Sequence, residues 1–174
     1  MKGLQLALVE LRRKNWSSFR DVQAFLPQGK VSSDYVPDAV AGLLDAQNPD
    51  EVEEFYWKLE NHVVVQGQTF EAAEHLVPVL VAALQSEASP FVRTALLELL
   101  FQIVAYQPSH FEVELGNVNL TLRCQSSARE GLWTFYQFYL NGSDADSRAA
   151  YEILEKIEAD TERLIAFRQF KLEQ

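Results

Sequence analysis

The sequence predicts an all-α fold, arranged as a short α-solenoid of stacked helix pairs. Three stretches share one pattern, in which a helix is followed by a turn rich in Asp, Asn or Ser and then by a second helix. The predicted pairs cover about residues 35–65, 70–106 and 119–158, and capping helices are predicted at about 2–14 and 160–172. A chain of 174 residues can bury one substantial core, so we expect a single domain.

The turns inside the pairs carry helix-start signals. Asn48 and Ser89 are each followed by a proline, which is the favoured order of a capping residue and the first helical residue. In the third pair, Asp144 or Asp146 is expected to cap the second helix. These signals place the beginning of each second helix.

Two stretches depart from the regular pattern. Pro78 lies inside the apolar run HLVPVLVAAL, and we expect one bent helix over about residues 70–85. Residues 111–123 alternate between apolar and polar side chains, which is compatible with a small hairpin or with an extended linker leading into a helix near Asn119. We favour the linker.

The charge of the chain is uneven. The formal net charge is −10, but residues 1–30 hold six basic and two acidic residues, a local +4, so the rest carries −14. A body this acidic repels the phosphates of nucleic acids and attracts a basic partner. The simpler interpretation is that the acidic residues only keep the protein soluble.

The sequence contains no motif typical of an enzyme. It has neither a nucleophile elbow nor a glycine-rich phosphate loop. The single Cys124 lies in an apolar helical stretch, where a packed thiol is expected, and its isolation favours a reducing compartment. We therefore expect a cytoplasmic protein that is not an enzyme and needs no cofactor.

A metal site is also not predicted. Glu71 and His75 lie four residues apart on one helix face, with Glu74 and His62 as further possible ligands. A zinc site requires three or four committed ligands, and only two histidines are in range. The two histidines are expected to form hydrogen bonds where helices meet.

No membrane segment is predicted either. No run reaches the roughly 18 to 20 apolar residues that a membrane span requires. The apolar N-terminal stretch GLQLALVEL precedes the basic residues Arg12, Arg13 and Lys14 and lacks a small-residue cleavage site, so it is interpreted as an amphipathic helix.

The second helices of the pairs should line one concave face and bind a protein partner. Trp57 is the sharpest candidate, since acidic residues flank it and hot spots are enriched in Trp; the alternative is that it packs against the N-terminal helix. The candidate partner-binding residues are Asp50, Glu53, Glu54, Trp57, Asn61, Glu98, Gln102, Tyr151 and Glu155.

Two segments, SEASPFVRTALLELL and SDADSRAAYEILEKI, resemble HEAT repeats. In that family a Ser-rich or acidic turn leads into a second helix with an early arginine, which Arg93 and Arg148 match. The first pair departs from the pattern, because Val52 stands where the arginine would be. The string FYWKLENHVVVQGQTFEAAEHLVPVLVAAL, followed by LLELLFQIV, is similar to bacterial HEAT-like proteins that act as immunity factors in toxin systems.

This resemblance implies an immunity protein. Combined with the acidic charge of the chain, it predicts a cytoplasmic inhibitor that neutralises a cognate basic toxin by blocking its active site through an acidic surface. A general solenoid adaptor in a larger assembly is the alternative. Some DNA glycosylases also have a HEAT-like fold, but a duplex groove needs a strip of Lys and Arg that this acidic chain lacks. The aromatic run WTFYQFY is more simply explained as core.

Overall fold

The computed structural model describes residues 2–173, and the side chains of residues 5–173. This part of the chain forms ten α-helices, together with three short 3-10 turns and three two-residue strands. The helices are α1 (Lys2–Arg12), α2 (Val36–Asp45), α3 (Pro49–Val63), α4 (Glu71–Ala83), α5 (Pro90–Ala105), α6 (His110–Glu114), α7 (Leu120–Ala128), α8 (Leu132–Asn141), α9 (Asp144–Ile157) and α10 (Thr161–Leu172). The strands are β1 (Val64–Val65), β2 (Gln68–Thr69) and β3 (Gln107–Pro108).

Helix α5 lies at the centre of the molecule. It packs between α3 and α9, and it also contacts α4 and α7. Its core residues have no solvent exposure, as expected for a helix that is apolar nearly all round. These residues are Leu96, Leu97, Leu99, Leu100, Ile103 and Val104. The predicted helical class is therefore confirmed, with a small sheet in addition.

In two of the three pairs, the residue predicted to cap the second helix lies directly before that helix. The Asn48 side chain accepts a hydrogen bond from the backbone of Glu51 at 3.0 Å and caps α3. Ser89 occupies the corresponding position before α5, but its side chain makes no capping bond. The prediction for the third pair was wrong: Ser143 caps α9, and Asp146 returns a bond to the Ser143 backbone in a capping box.

Pro78 lies within a single helix, as expected. Helix α4 begins at Glu71, ends at Ala83 and includes Pro78. An internal proline costs about 3 kcal/mol because it removes a hydrogen bond and crowds the preceding turn. Leu76 and Leu80 are fully buried, and each contributes about 2 kcal/mol of apolar burial, which offsets that cost.

Residues 111–123 begin in a short helix, where a hairpin or an extended linker was predicted. Ser109 caps the short helix α6 by accepting a bond from the Glu112 backbone at 3.2 Å, and α7 begins at Leu120. Between them Gly116 adopts a positive φ of 91°, a conformation that glycine reaches without strain. The hairpin and the extended conformation were wrong, whereas the predicted helix start near Asn119 is confirmed, since α7 begins at Leu120 directly after Asn119.

Glu112 explains why this segment is helical. Its side chain is completely buried and accepts bonds from the Arg20 guanidinium at 3.1 Å and from the Asn117 amide at 2.6 Å. A second oxygen accepts the backbone N–H of Glu71 at 3.1 Å. This carboxylate therefore joins the N-terminal segment, α4 and α6, so the segment folds around it rather than extending.

The first helix of the third pair is broken into two. A 3-10 turn over Arg129–Gly131 separates α7 from α8. Gly131 is buried, and a Cβ atom there would lie 2.6 Å from the Val81 side chain. The close approach to α4 therefore requires glycine at this turn. Cys124 on α7 is buried as predicted, and burial raises the pKa of its thiol to about 12.

The small sheet ties two helix ends together. Strand β1 pairs with β2 antiparallel, and β2 pairs with β3 in parallel. Strand β1 follows α3 directly, while β3 follows α5 after Tyr106. The C-terminal ends of α3 and α5 are therefore joined through β2.

Candidate protein-binding surface

A groove runs between α3 and α5 and has a volume of about 450 Å³. Its walls are mostly apolar, and acidic side chains stand at its edges. The lining residues are Pro49, Val52, Glu53, Tyr56, Trp57, Phe91, Thr94, Ala95 and Glu98. Three of the nine predicted partner-binding residues, Glu53, Trp57 and Glu98, meet here.

Trp57 is the exposed aromatic residue of this groove. Its side chain is 45% exposed, and its ring packs edge-on against Tyr56 with centroids 5.2 Å apart. The indole N–H donates to Glu53 Oε1 at 3.1 Å, which fixes the ring relative to the helix. Trp57 thus lies at the groove and not beneath the N-terminal helix.

Tyr56 forms the floor. Its ring is buried, and its hydroxyl accepts a hydrogen bond from the Gln102 side-chain amide at 2.8 Å. Burial raises the pKa of Tyr56, and the nearby carboxylates of Glu98 and Glu60 raise it further. Gln102 therefore supports the floor from α5, whereas the sequence prediction made it a contact residue.

The carboxylates around the groove carry charge that no neighbouring cation neutralises. Burial raises the pKa of Glu60, and the charge of Glu98 adds to this effect. Glu53 bonds only to the indole of Trp57. Among the ion pairs of the described residues, none includes Glu53, Glu60 or Glu98.

The other predicted contact residues lie elsewhere. Asp50, Glu54 and Asn61 are exposed on α3 but do not line the groove, and Glu54 forms an ion pair with Lys58 at 2.5 Å. On α9, Glu155 is exposed, while the half-buried Tyr151 packs against a tyrosine of α8 with centroids 5.1 Å apart. The nine candidates are therefore divided: three line the groove, Gln102 supports its floor, three are exposed on α3, and two lie on α9.

Sequence reasoning missed six of the nine lining residues, most of them apolar. These are Pro49, Val52, Tyr56, Phe91, Thr94 and Ala95. Helical spacing offered a signal: Glu53, Tyr56 and Glu60 lie on one flank of α3. That flank proved to face α5.

The residues considered for a metal site form ion pairs and ring contacts with other side chains. Glu71 pairs with Arg20 at 3.1 Å, Glu74 pairs with Arg123 at 2.8 Å, and His75 stacks on Phe19 with centroids 3.6 Å apart. Within the described residues, no three His, Cys, Asp or Glu side chains come together as metal ligands would. The stacked His75 is buried enough to lower its pKa to about 4.

None of the helices in the described part of the chain combines the length and the apolar character that a membrane crossing requires. Comparison of the chain with protein-family models, with curated proteins and with solved structures finds no match.

Proposed function

We propose that this protein is a non-catalytic binding module whose α3–α5 groove recognises a basic protein. In its most specific form, it is a cytoplasmic immunity protein that neutralises a cognate basic toxin. The side-by-side order of α3, α5 and α9 supports a short HEAT-like solenoid, in which second helices share one face.

The observation that carries the proposal is the exposed indole of Trp57, held by Glu53 at the edge of an apolar groove. A large, partly exposed aromatic whose orientation is already fixed loses little conformational freedom on binding. Tryptophan is enriched among residues that dominate binding energy at protein interfaces. The groove therefore offers an anchor together with apolar walls.

Electrostatics supplies the second part of the recognition. Residues 31–174 carry a formal charge of −14, and among the described residues Glu53 and Glu98 at the groove form no ion pair. Such a surface accelerates the approach of a basic partner and disfavours acidic ones. A toxin that binds an anionic substrate has a cationic active site, which this acidic face would cover.

The product of the neighbouring gene is the partner to test first. We expect the double variant Glu53→Lys, Glu98→Lys to associate at least about tenfold more slowly with it, and to show a flatter dependence on salt. Stopped-flow or surface-binding kinetics at several salt concentrations measure both effects. The matched control is Glu114→Lys, Glu173→Lys, which makes the same charge change at exposed positions outside the groove.

Protection in cells tests the biological part of the proposal. Cells that express the neighbouring gene product should grow only when the wild-type protein or the control variant is co-expressed, and the groove variant should protect poorly. If wild-type protein neither binds this product nor protects, the immunity function is wrong. A neighbouring metabolic or signalling gene whose product binds would instead indicate an adaptor.

A further inference from the structure

We propose that the α3–α5 groove receives an arginine side chain from a basic segment of the partner, with the guanidinium stacked on the Trp57 indole. This inference rests on the proposed function and names the chemistry of its partner. It follows from the shape of the groove, from the charges around it and from the orientation of Trp57.

The shape suits a few side chains. The groove holds about 450 Å³, and Val52, Tyr56, Phe91 and Ala95 form apolar walls below the exposed indole. An arginine side chain has an apolar stem of three methylene groups and a charged end, so its stem can lie along these walls while the guanidinium stays near the rim.

The acidic side chains around the groove favour a positively charged group. The basic residues of α3 and α5 are committed away from the groove: Lys58 pairs with Glu54, and Arg93 pairs with Asp146 on the α9 side. Glu53 and Glu98 line the groove, Glu98 acts electrostatically on Glu60, and within the described part of the chain none of the three forms an ion pair. An incoming positive charge therefore relieves repulsion that the folded protein already contains.

The orientation of Trp57 favours arginine over lysine. Its N–H is occupied by Glu53 at 3.1 Å, so the part of the ring that remains for a partner is its face. A planar guanidinium stacks on an aromatic face and still presents its N–H groups to carboxylates at the edge. A lysine ammonium is a compact, strongly hydrated charge that gains less from the same surface.

Three short peptides test the inference on the full-length protein. The probes are acetyl-Leu-Arg-Leu-amide and the same peptide with lysine or with uncharged citrulline in place of arginine. NMR of the ¹⁵N-labelled protein follows the indole N–H of Trp57, which the variant Trp57→Phe assigns. We expect the arginine peptide to shift this signal, the lysine peptide to bind at least about threefold more weakly, and the citrulline peptide to leave the signal unchanged.

Variants separate the groove from general acidity. Glu98→Gln should weaken binding of the arginine peptide about fivefold, whereas Glu54→Gln, which removes an acid outside the groove, should leave it unchanged. Equal losses in both variants would show diffuse charge attraction and overturn the inference. Equal binding of the lysine or citrulline peptide would overturn it too, as would an unshifted Trp57 signal.

Other occupants of the groove give distinct results. A Trp57 signal that shifts with protein concentration in the absence of peptide would assign the groove to a second copy of the chain and overturn the inference. If the peptide outcomes fail while the neighbouring gene product still binds through Glu53 and Glu98, only the arginine assignment is wrong. If the peptides behave as expected but no protein partner is found, the proposed function fails alone.

Discussion

Acidic residues on the two sides of helix α5 differ in whether the fold pairs them with a cation. On the α9 side, Asp146 is buried and receives the Arg93 guanidinium at 2.8 Å, while Ser143 donates a second bond at 2.8 Å. On the α3 side, no ion pair of the described residues includes Glu98 or Glu60, and burial together with the charge of Glu98 raises the pKa of Glu60. One side has its charge neutralised by the fold, and the other does not.

This difference separates carboxylates that the fold itself stabilises from carboxylates that a binding partner can stabilise. Burial alone would raise the pKa of Asp146, but the bonds from Arg93 and Ser143 outweigh it and hold that pKa below its ordinary value. A lowered pKa means that the fold stabilises the carboxylate, and a raised pKa means that the fold opposes it. Charge that the fold opposes is charge that a partner can stabilise, which is why we assign the binding surface to the α3 side.

The largest loss of stability is expected when the ion pair on the α9 side of α5 is removed. Arg93→Met puts an apolar side chain where the guanidinium now lies 5.7 Å from the centre of the Phe138 ring, and it leaves Asp146 buried without its cation. Breaking a buried pair costs 3 to 5 kcal/mol, and since Arg93 is partly exposed we expect about 2 to 3 kcal/mol. Urea unfolding at pH 7 measures this loss in the free energy of unfolding.

Arg148→Met on α9 is the control for this variant. Arg148 holds the corresponding position in the third pair but is exposed, so its replacement should change stability by no more than about 0.5 kcal/mol. Similar losses in the two variants would show that the Arg93 effect comes from general charge and not from the buried pair.

The loss of stability caused by Arg93→Met should become smaller at acidic pH. The pKa of Asp146 is lowered in the folded state, so its stabilising contribution is complete above the unfolded pKa of about 3.9 and is lost as pH falls through the folded pKa. The difference between wild type and variant should therefore be largest near pH 7 and should fall as pH drops towards 3, because a protonated Asp146 does not require a cation. Unfolding curves at pH 7, 5, 4 and 3 test this, and a difference independent of pH would contradict it.

The smallest change in stability is expected on the α3 side of α5, and there the substitution should stabilise the protein. The pKa of Glu60 is raised in the folded state, so its ionised form opposes folding, and stability is lost as pH rises through that pKa. Glu60→Gln should therefore stabilise the protein by about 0.5 kcal/mol at pH 7, with no gain near pH 4. Thermal unfolding at the two pH values measures it, with Glu114→Gln as an exposed control. A loss of stability at pH 7 would mean that Glu60 makes a favourable contact in the fold.

Regular helices were predictable because their signals are local. The capping Asn48, the prolines at helix starts and the apolar run around Pro78 all act within one or two turns. Residues 111–123 were not predictable in this way. Helix α6 depends on Glu112 meeting Arg20, 92 residues away along the chain, and no local pattern records such a contact.

The candidate site was predictable only in part, for a related reason. The sequence identified Glu53, Trp57 and Glu98 as contact residues, and all three line the groove. Spacing could not show which flank of α3 faces α5, so Glu54 was grouped with Glu53 although it pairs with Lys58 instead. It also could not show that Gln102 is held by the Tyr56 hydroxyl.

The three short strands give the groove a fixed end and a free one. Strands β1 and β3 extend from α3 and α5, and β2 hydrogen-bonds to both, so these helices are fastened at their C-termini. Pro49 and Phe91, at the helix N-termini, stand on opposite walls of the cleft. Because the strands join α3 and α5 at their C-terminal ends, we expect the groove to widen more easily at the N-terminal ends of these helices, where a partner side chain would enter.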